Sequence, residues 1–406
     1  MSGPLSGIRV VDLSTVISGP LTTMMLADQG AEVVKIESPN GGDFARHVAT
    51  RRGGFSASFL NNNRNKRSVV LDLKTPDGIE ALKAIAKTAD VFVQNFRPGV
   101  VDRLGIGAAA LRALNPKLIY VSIAGFGFEG PLADKPVYDP LIQAISALTT
   151  VQAGSNEERP RLVRTILPDK LTGFQTAQAV TSALFERERS GLGQEVTVSM
   201  LDTVVSFLWS SDMNGHTFVG DELEREEAQS FIDLIYKVAD GYVSVAVMQD
   251  KHWRDFANAI DRADLLSDPR FLSAELREIN RDARLQATQD ALTPFSVAEV
   301  VERMEKADVP CARVLTRREM RQHPQVVANR TIVETDHPVA GRLRQARHAA
   351  VFSRTPTSIR RGAPELGEHT REVLSEIGFS TDKIEALAPN KEKIGNIDPV
   401  PEAQRA

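Results

Sequence analysis

Ile8-Arg9-Val10-Val11-Asp12-Leu13, then Gly19-Pro20, then Glu32-Val33-Val34-Lys35-Ile36-Glu37 decide the fold of this chain. The first and last runs are short, apolar and β-branched, as strands are. Between them, Gly19-Pro20 opens a helix through about Gln29, with proline in the first turn, where its missing N–H costs nothing. Strand, helix and strand in so short a span make a βαβ unit, and that connection requires parallel strands. The pattern repeats downstream. Ser68–Leu71 reads as a strand, and Thr75-Pro76-Asp77 starts a helix running to about Lys87. Further strands fall at Val91–Gln94 and Leu118–Ile123. The reading is an α/β fold with a mostly parallel sheet and helices on both faces.

Tyr138-Asp139 opens an apolar helix pattern through about Thr150, and another helix runs from about Leu171 to Ser190. Gly191-Leu192-Gly193 ends the second, before a strand at Gln194–Met200 and a helix at Leu201–Ser211. The charged stretch Asp221–Ala228 reads as a linker. Beyond it, Ile235–Val238 and Tyr242–Val247 flank Asp240-Gly241, a hairpin signal. Helices at Lys251–Ile260, Asn280–Leu292 and Val297–Ala307 complete a second, smaller α+β domain. The expected division is 1–220 for the first part of a large domain and 221–330 for the small domain with its linker. A charged, proline-containing tail is expected over 391–406.

Composition narrows the function. The chain has 406 residues and a net charge of −4, a balance that gives no footprint for nucleic acid. No apolar run reaches the ~20 residues that span a bilayer. Cys311 is the only cysteine, so no internal disulfide forms and a reducing, cytoplasmic location is expected. The seven histidines lie at no metal-ligand spacing, and no metal is expected.

Four stretches carry candidate chemistry. Asp169, in Leu167-Pro168-Asp169-Lys170-Leu171, falls at or just before a helix N-terminus, where unpaired N–H groups favour a carboxylate anion. It is either a helix cap or a nucleophile. Asn61-Asn62-Asn63-Arg64-Asn65-Lys66-Arg67-Ser68 offers cations and amides to phosphate oxygens, or is a solvated polar turn. Asn95-Phe96-Arg97-Pro98-Gly99 follows a strand at the sheet edge where α/β proteins bind ligands, and Arg103 lies one helical turn on. Gly125-Phe126-Gly127 with Gly130-Pro131 also follows a strand and either lets a ligand approach backbone or simply turns the chain. Beside these, Tyr138 can hydrogen-bond a substrate oxygen or sit in the core.

In this order, the stretches resemble the class III CoA-transferases, the superfamily of carnitine and formyl-CoA transferases and α-methylacyl-CoA racemases. The matching pieces include Leu26-Ala27-Asp28-Gln29-Gly30-Ala31-Glu32-Val33-Val34-Lys35-Ile36-Glu37, Asn65-Lys66-Arg67-Ser68, Leu71-Asp72-Leu73-Lys74, Asn95-Phe96-Arg97-Pro98-Gly99, Asp169, Val309-Pro310-Cys311-Ala312 and Leu366-Gly367-Glu368-His369-Thr370. The resemblance implies a Rossmann-like large domain built from both chain ends, 331–390 being the return, with the small domain inserted, in an interlocked homodimer. It implies transfer of CoA from an acyl-CoA donor to a small carboxylic acid, through aspartyl anhydride and thioester intermediates on Asp169. Asp72, Leu73, Lys74, Asn95, Phe96, Arg97 and Arg103 fall where the family binds CoA, and Tyr138 is expected to join them in binding it.

There are departures. Formyl-CoA transferases have Gln where this chain has Ile17, and a CoA-contacting Arg where it has Ser38, a role for which Arg46 is the nearby substitute. Loss of that Gln implies an acyl group larger or less polar than oxalyl. Racemases place a His base near Tyr138 and a Glu near Met248-Gln249. Neither is present, which favours transfer over the alternative, racemisation or epimerisation of a 2-methylacyl-CoA. A CoA-binding regulatory protein on the same scaffold is the non-enzymatic reading.

Overall fold

The computed structural model describes residues 3–48, 50–154, 156–220, 234–247 and 249–388. The chain divides into two compact units, Met1–Ala228 with Arg330–Ala406, and Gln229–Asn329. The proposed linker at Asp221–Ala228 and the tail beyond 390 lie outside the described residues.

The larger unit is built on β1 (Arg9–Leu13), α1 (Ser18–Asp28), β2 (Glu32–Glu37), β3 (Lys66–Val70), α2 (Pro76–Lys87), β4 (Val91–Gln94) and β5 (Ile119–Ala124). After these come α3 (Asp139–Ile145), α4 (Leu148–Ala153), α5 (Leu167–Ser190), β6 (Glu195–Ser199) and α6 (Met200–Trp209). The six strands form one parallel sheet in the order β3-β2-β1-β4-β5-β6. Strand order reverses between β1 and β4. Their carboxyl ends diverge there and leave a crevice, the place where such sheets bind ligands.

Alternation along the strands assigns the two faces. Val11, Val34, Phe92 and Tyr120 pack beneath Leu82 and Ile85 of α2, with Val373 and Leu374 from the chain's end. Val10, Val33, Val91, Val93 and Val121 face Leu26 of α1 and Val180 and Leu184 of α5. Both faces are covered, which is why the strands read as unbroken apolar runs. Thr75 caps α2 by accepting the Gly78 N–H, and Pro76 stands in its first turn.

Two sequence expectations need correction. The helix read as continuous from Tyr138 to Thr150 is two helices, because Ala147 takes a left-handed conformation at φ 65° between α3 and α4. The polar stretch Asn61–Ser68 is neither a phosphate cradle nor a solvated turn. Its residues from Asn63 to Ser68 are buried, with Arg64 paired to Asp28 at 2.6 Å, Lys66 to Asp12 at 2.8 Å, and Arg67 to Glu32, Glu372 and Glu376.

In the smaller unit, β7 (Ile235–Val238), β8 (Gly241–Val245) and β9 (Cys311–Arg313) form an antiparallel sheet with β8 in the middle. Trp253, Phe256, Phe271, Leu292, Val300 and Met304 fill its core. Cys311 is half-buried, and burial, reinforced by Glu305, pushes its thiol up to about 11.

Candidate active site

A cavity of about 210 Å³ opens at the switch point. Thr15 and Val16 beyond β1, Asn95–Pro98 beyond β4 and Ile123–Gly125 at the end of β5 form its walls. Ser18, Lys135, Val137, Tyr138, Asp139, Asp169 and Met200 are also in its lining. Gly125 is required for closure of one wall, since a Cβ there would lie 2.1 Å from a methyl of Val137.

Asp169 stands in the first turn of α5, which begins at Leu167, earlier than the sequence pattern indicates. It is not the cap of its own helix. Its backbone N–H donates to Asp139 Oδ2 at 3.3 Å, so a residue thirty positions upstream covers that helix end. The Asp169 carboxylate lies instead against Ser18, the first residue of α1, whose backbone N–H and hydroxyl favour its ionised form. Gly173 permits this: a side chain there would strike Leu21 and the Ser18 carbonyl, so α1 and α5 approach closely.

The helix terminus does not dominate the electrostatics. Burial, then the charge of Asp139, raise the Asp169 carboxyl to about 6 against the two Ser18 hydrogen bonds. Burial raises Asp139 as well, opposed by Gln143, which donates to its Oδ1 at 2.7 Å, by the Asp169 N–H and by Lys170. Two carboxylates sharing one dry site push each other toward the neutral form. At neutral pH Asp169 is still mainly ionised, and more basic than a surface aspartate.

The structure sorts the other candidates. Asn95, Phe96, Arg97 and Tyr138 line the cavity with Asp169. Tyr138 is 69% exposed and is no core tyrosine. The Asn95 amide is already used, bonding the Thr15 N–H at 2.9 Å and the Thr15 carbonyl at 2.8 Å. Asp72, Leu73 and Lys74 lie outside the cavity, beyond β3, where Asp72 Oδ1 accepts the Lys74 N–H. Arg103 also lies outside. It folds back over the turn after β4, with its guanidinium 3.1 Å from where a Gly99 side chain would stand. These groups share the carboxyl edge of the sheet, β3 and β4 being three strand spacings or ~14 Å apart. Lys74, Arg97, Arg103 and Lys135 are exposed there, and among the described residues none carries an ion pair.

Arg46 requires correction as a CoA ligand. Its guanidinium is buried in a bidentate pair with Glu37, at 2.7 and 2.8 Å, and donates to the Pro364 carbonyl at 3.1 Å. Burial would raise Glu37, but Arg46, with Lys35 and Ser68, holds it down at about 2. Three of its five N–H donors are spent there and the side chain is buried, which suits a structural pair and not a ligand contact. Ile17 is buried and does not line the cavity, whereas Val16 and Ser18 on either side do. Sequence reasoning missed Ser18, Lys135 and Val16, since each reaches the cavity only through a turn whose path no local pattern encodes.

Residues 5–370 match the family described as CoA-transferase family III. The chain is 33% identical over 383 residues to the succinate–glutarate CoA-transferase of Agrobacterium fabrum, covering 92% of this chain and 96% of that protein. It is 32% identical over 413 residues to the formyl-CoA:oxalate CoA-transferase of Rhodopseudomonas palustris, covering 95% and 96%. The crystal structure of a CAIB/BAIF family protein from Brucella suis superposes with a TM-score of 0.80 at 28% identity, covering 93% of this chain and all of that one. The fold is thus α/β, with a central parallel sheet and a cavity at its switch point. The chain belongs to CoA-transferase family III, and the enzyme is a CoA-transferase.

Proposed function

We propose that the enzyme moves CoA from an acyl-CoA to a small carboxylic acid, with Asp169 as the nucleophile. The observation that carries this reading is the partly desolvated Asp169 carboxylate, held by Ser18 in a small cavity at the switch point. An Asp169 oxygen attacks the thioester carbonyl, the C–S bond breaks, and a mixed anhydride and CoA thiolate result. The thiolate then attacks the aspartyl carbonyl, releasing the first acid and leaving an aspartyl thioester. The incoming carboxylate attacks that thioester, and the thiolate returns to the new acyl carbon, regenerating Asp169. Each bond made is matched by one broken, and no external reagent is consumed.

The site supports these steps physically. A carboxylate lifted to about 6 is a stronger base and nucleophile than an exposed one. A small cavity keeps both partners in reach and limits hydrolysis of the anhydride. Lys74, Arg97, Arg103 and Lys135 offer positive charge for CoA phosphates along the sheet edge. Tyr138, where racemisation would need a His base, supports transfer over proton exchange. Exposed Phe174 and Phe185 on α5, with Phe207 and Trp209 on α6, support a homodimer, which light scattering would test.

The deciding experiment mixes the protein with acyl-CoAs and pooled carboxylic acids in deuterated water and follows them by mass spectrometry. A new acyl-CoA, lost in Asp169→Ala, is the expected result and names both substrates. Deuterium entering an unchanged acyl-CoA would replace this reading with racemisation. Tight CoA binding without either product would mean a binding protein.

A further inference from the structure

The turn between β1 and α1 is bent against its own chemistry. Val16 has a φ of 73°, a conformation that a β-branched residue adopts only when its surroundings impose it. Those surroundings are buried and specific. Asp43 Oδ1 accepts the Val16 N–H at 3.0 Å and the Ala45 N–H at 2.9 Å. Its other oxygen pairs with Lys35 Nζ at 2.9 Å, and its own N–H is held by Glu37 at 3.0 Å. Lys35 also donates to the Ser14 carbonyl at 2.8 Å, and Asn95 clamps Thr15 from the other side. Asp43 and Lys35 are wholly buried.

A buried ion pair is a poor way to gain stability, so what this one does to the chain around it is the more informative fact. Two residues beyond Val16 is Ser18, which lines the cavity with Asp169 and whose N–H and hydroxyl favour the ionised carboxylate. The direction of the turn at Val16 sets where Ser18 points. Asp43 is absent from the cavity lining and reaches the reacting carboxylate only through this turn.

We propose that Asp43 is a positioning residue of the transfer reaction: by locking Val16 in its left-handed turn, it aims Ser18 at Asp169. The inference rests on the reading of Asp169 as nucleophile. Asp43 makes no contact with the reacting groups in this arrangement, so it governs turnover rather than acyl-CoA affinity. Its effect travels through the conformation of one residue, and a change at that residue is able to replace it.

The test is a double-variant cycle. Asp43→Ala is expected to lower kcat about 30-fold with KM for acyl-CoA changed less than twofold. Glycine enters the left-handed region without a side-chain clash. The kcat loss caused by Asp43→Ala is therefore expected to be at least fivefold smaller in the Val16→Gly background. An equal loss in both backgrounds, or a loss confined to KM, would overturn the proposal. Should Asp43→Ala not fold, Asp43→Ser, too short to span the same gap, enters the same cycle with the same two outcomes. Hydrogen exchange over residues 13–18 gives a readout independent of turnover. Faster exchange in the Asp43 variant is expected, and unchanged exchange would overturn the proposal even if CoA transfer is found. A wild-type protein that transfers no CoA would instead defeat the reading of Asp169, while the exchange result still decides whether Asp43 holds the turn.

Discussion

The carboxylate of Asp139 accepts the backbone N–H of Asp169 at 3.3 Å, so the start of α5 is capped by a second acid whose charge bears on the first. Asp139 positions the backbone of Asp169 and also opposes its ionisation. Asp139→Asn separates the two effects, because the amide oxygen still accepts the N–H while the charge is gone. With Asp169 as the proposed nucleophile, the acid limb of the kcat/KM profile is expected near pH 6 in the wild type. It is expected to move about one pH unit lower in the variant. A limb that stays in place would show that burial alone sets the acidity.

Ionised Asp169 costs the fold stability. Its folded-state value is raised from an ordinary 3.8 to about 6, so ionisation above that pH costs the folded state free energy. Asp169→Asn is expected to raise stability by about 2–3 kcal/mol at pH 7, since each tenfold change in a proton-binding constant is worth ~1.4 kcal/mol. The gain should shrink as pH falls through 6 and be absent below 4, where both states hold the proton. Urea midpoints at pH 4, 6 and 8 would check the sign and the window.

The cations divide into a buried, paired set and an exposed set proposed to meet CoA. Removing one partner of a buried pair strands the other, so Arg46→Ala is expected to destabilise the fold by about 3–5 kcal/mol. Lys74→Ala and Arg97→Ala should leave the melting temperature within about 1 °C while raising KM for acyl-CoA severalfold, an effect lessened by added salt. Thermal melts and kinetics at two ionic strengths would separate the sets. An Arg46 variant that melts normally but binds acyl-CoA weakly would reverse the assignment.

Gly125→Ala places a methyl 2.1 Å from Val137, so the cavity wall must shift. A loss of kcat/KM of tenfold or more is expected, partly restored by Val137→Ala, which opens the space. A kinetically silent Gly125→Ala would mean that this wall does not shape the reacting geometry.

What was legible in the sequence follows the range of the interactions involved. Strands β2 and β4 lie where the apolar runs place them, since burial on both faces is written into consecutive residues. Thr75-Pro76 announced α2 by local capping chemistry, confirmed at the Gly78 N–H. Ala147, by contrast, carries no turn signal, and its left-handed break in an apolar run could not be read. The polar run at Asn63–Ser68 looked solvated because its partners, Asp12, Asp28 and Glu372, lie far away in sequence. At the candidate site, Asp169 was singled out by the resemblance, whereas Ser18 and the charge of Asp139 come beside it only once distant turns meet. Arg46 was misjudged for the same reason, its partner Glu37 being visible but not its burial.

The acids Asp12, Glu37 and Asp43 and the bases Lys35, Arg46 and Lys66 form one buried, electrically neutral cluster beneath the turn. Such a cluster restricts how the sequence can drift. Any single substitution that changes charge leaves an odd charge in a dry interior, and the lineage carrying it is exposed to selection before a second change can compensate. These six positions should therefore be inherited as a block across relatives, altered in opposite-charge pairs or left alone, however freely the residues lining the cavity diverge.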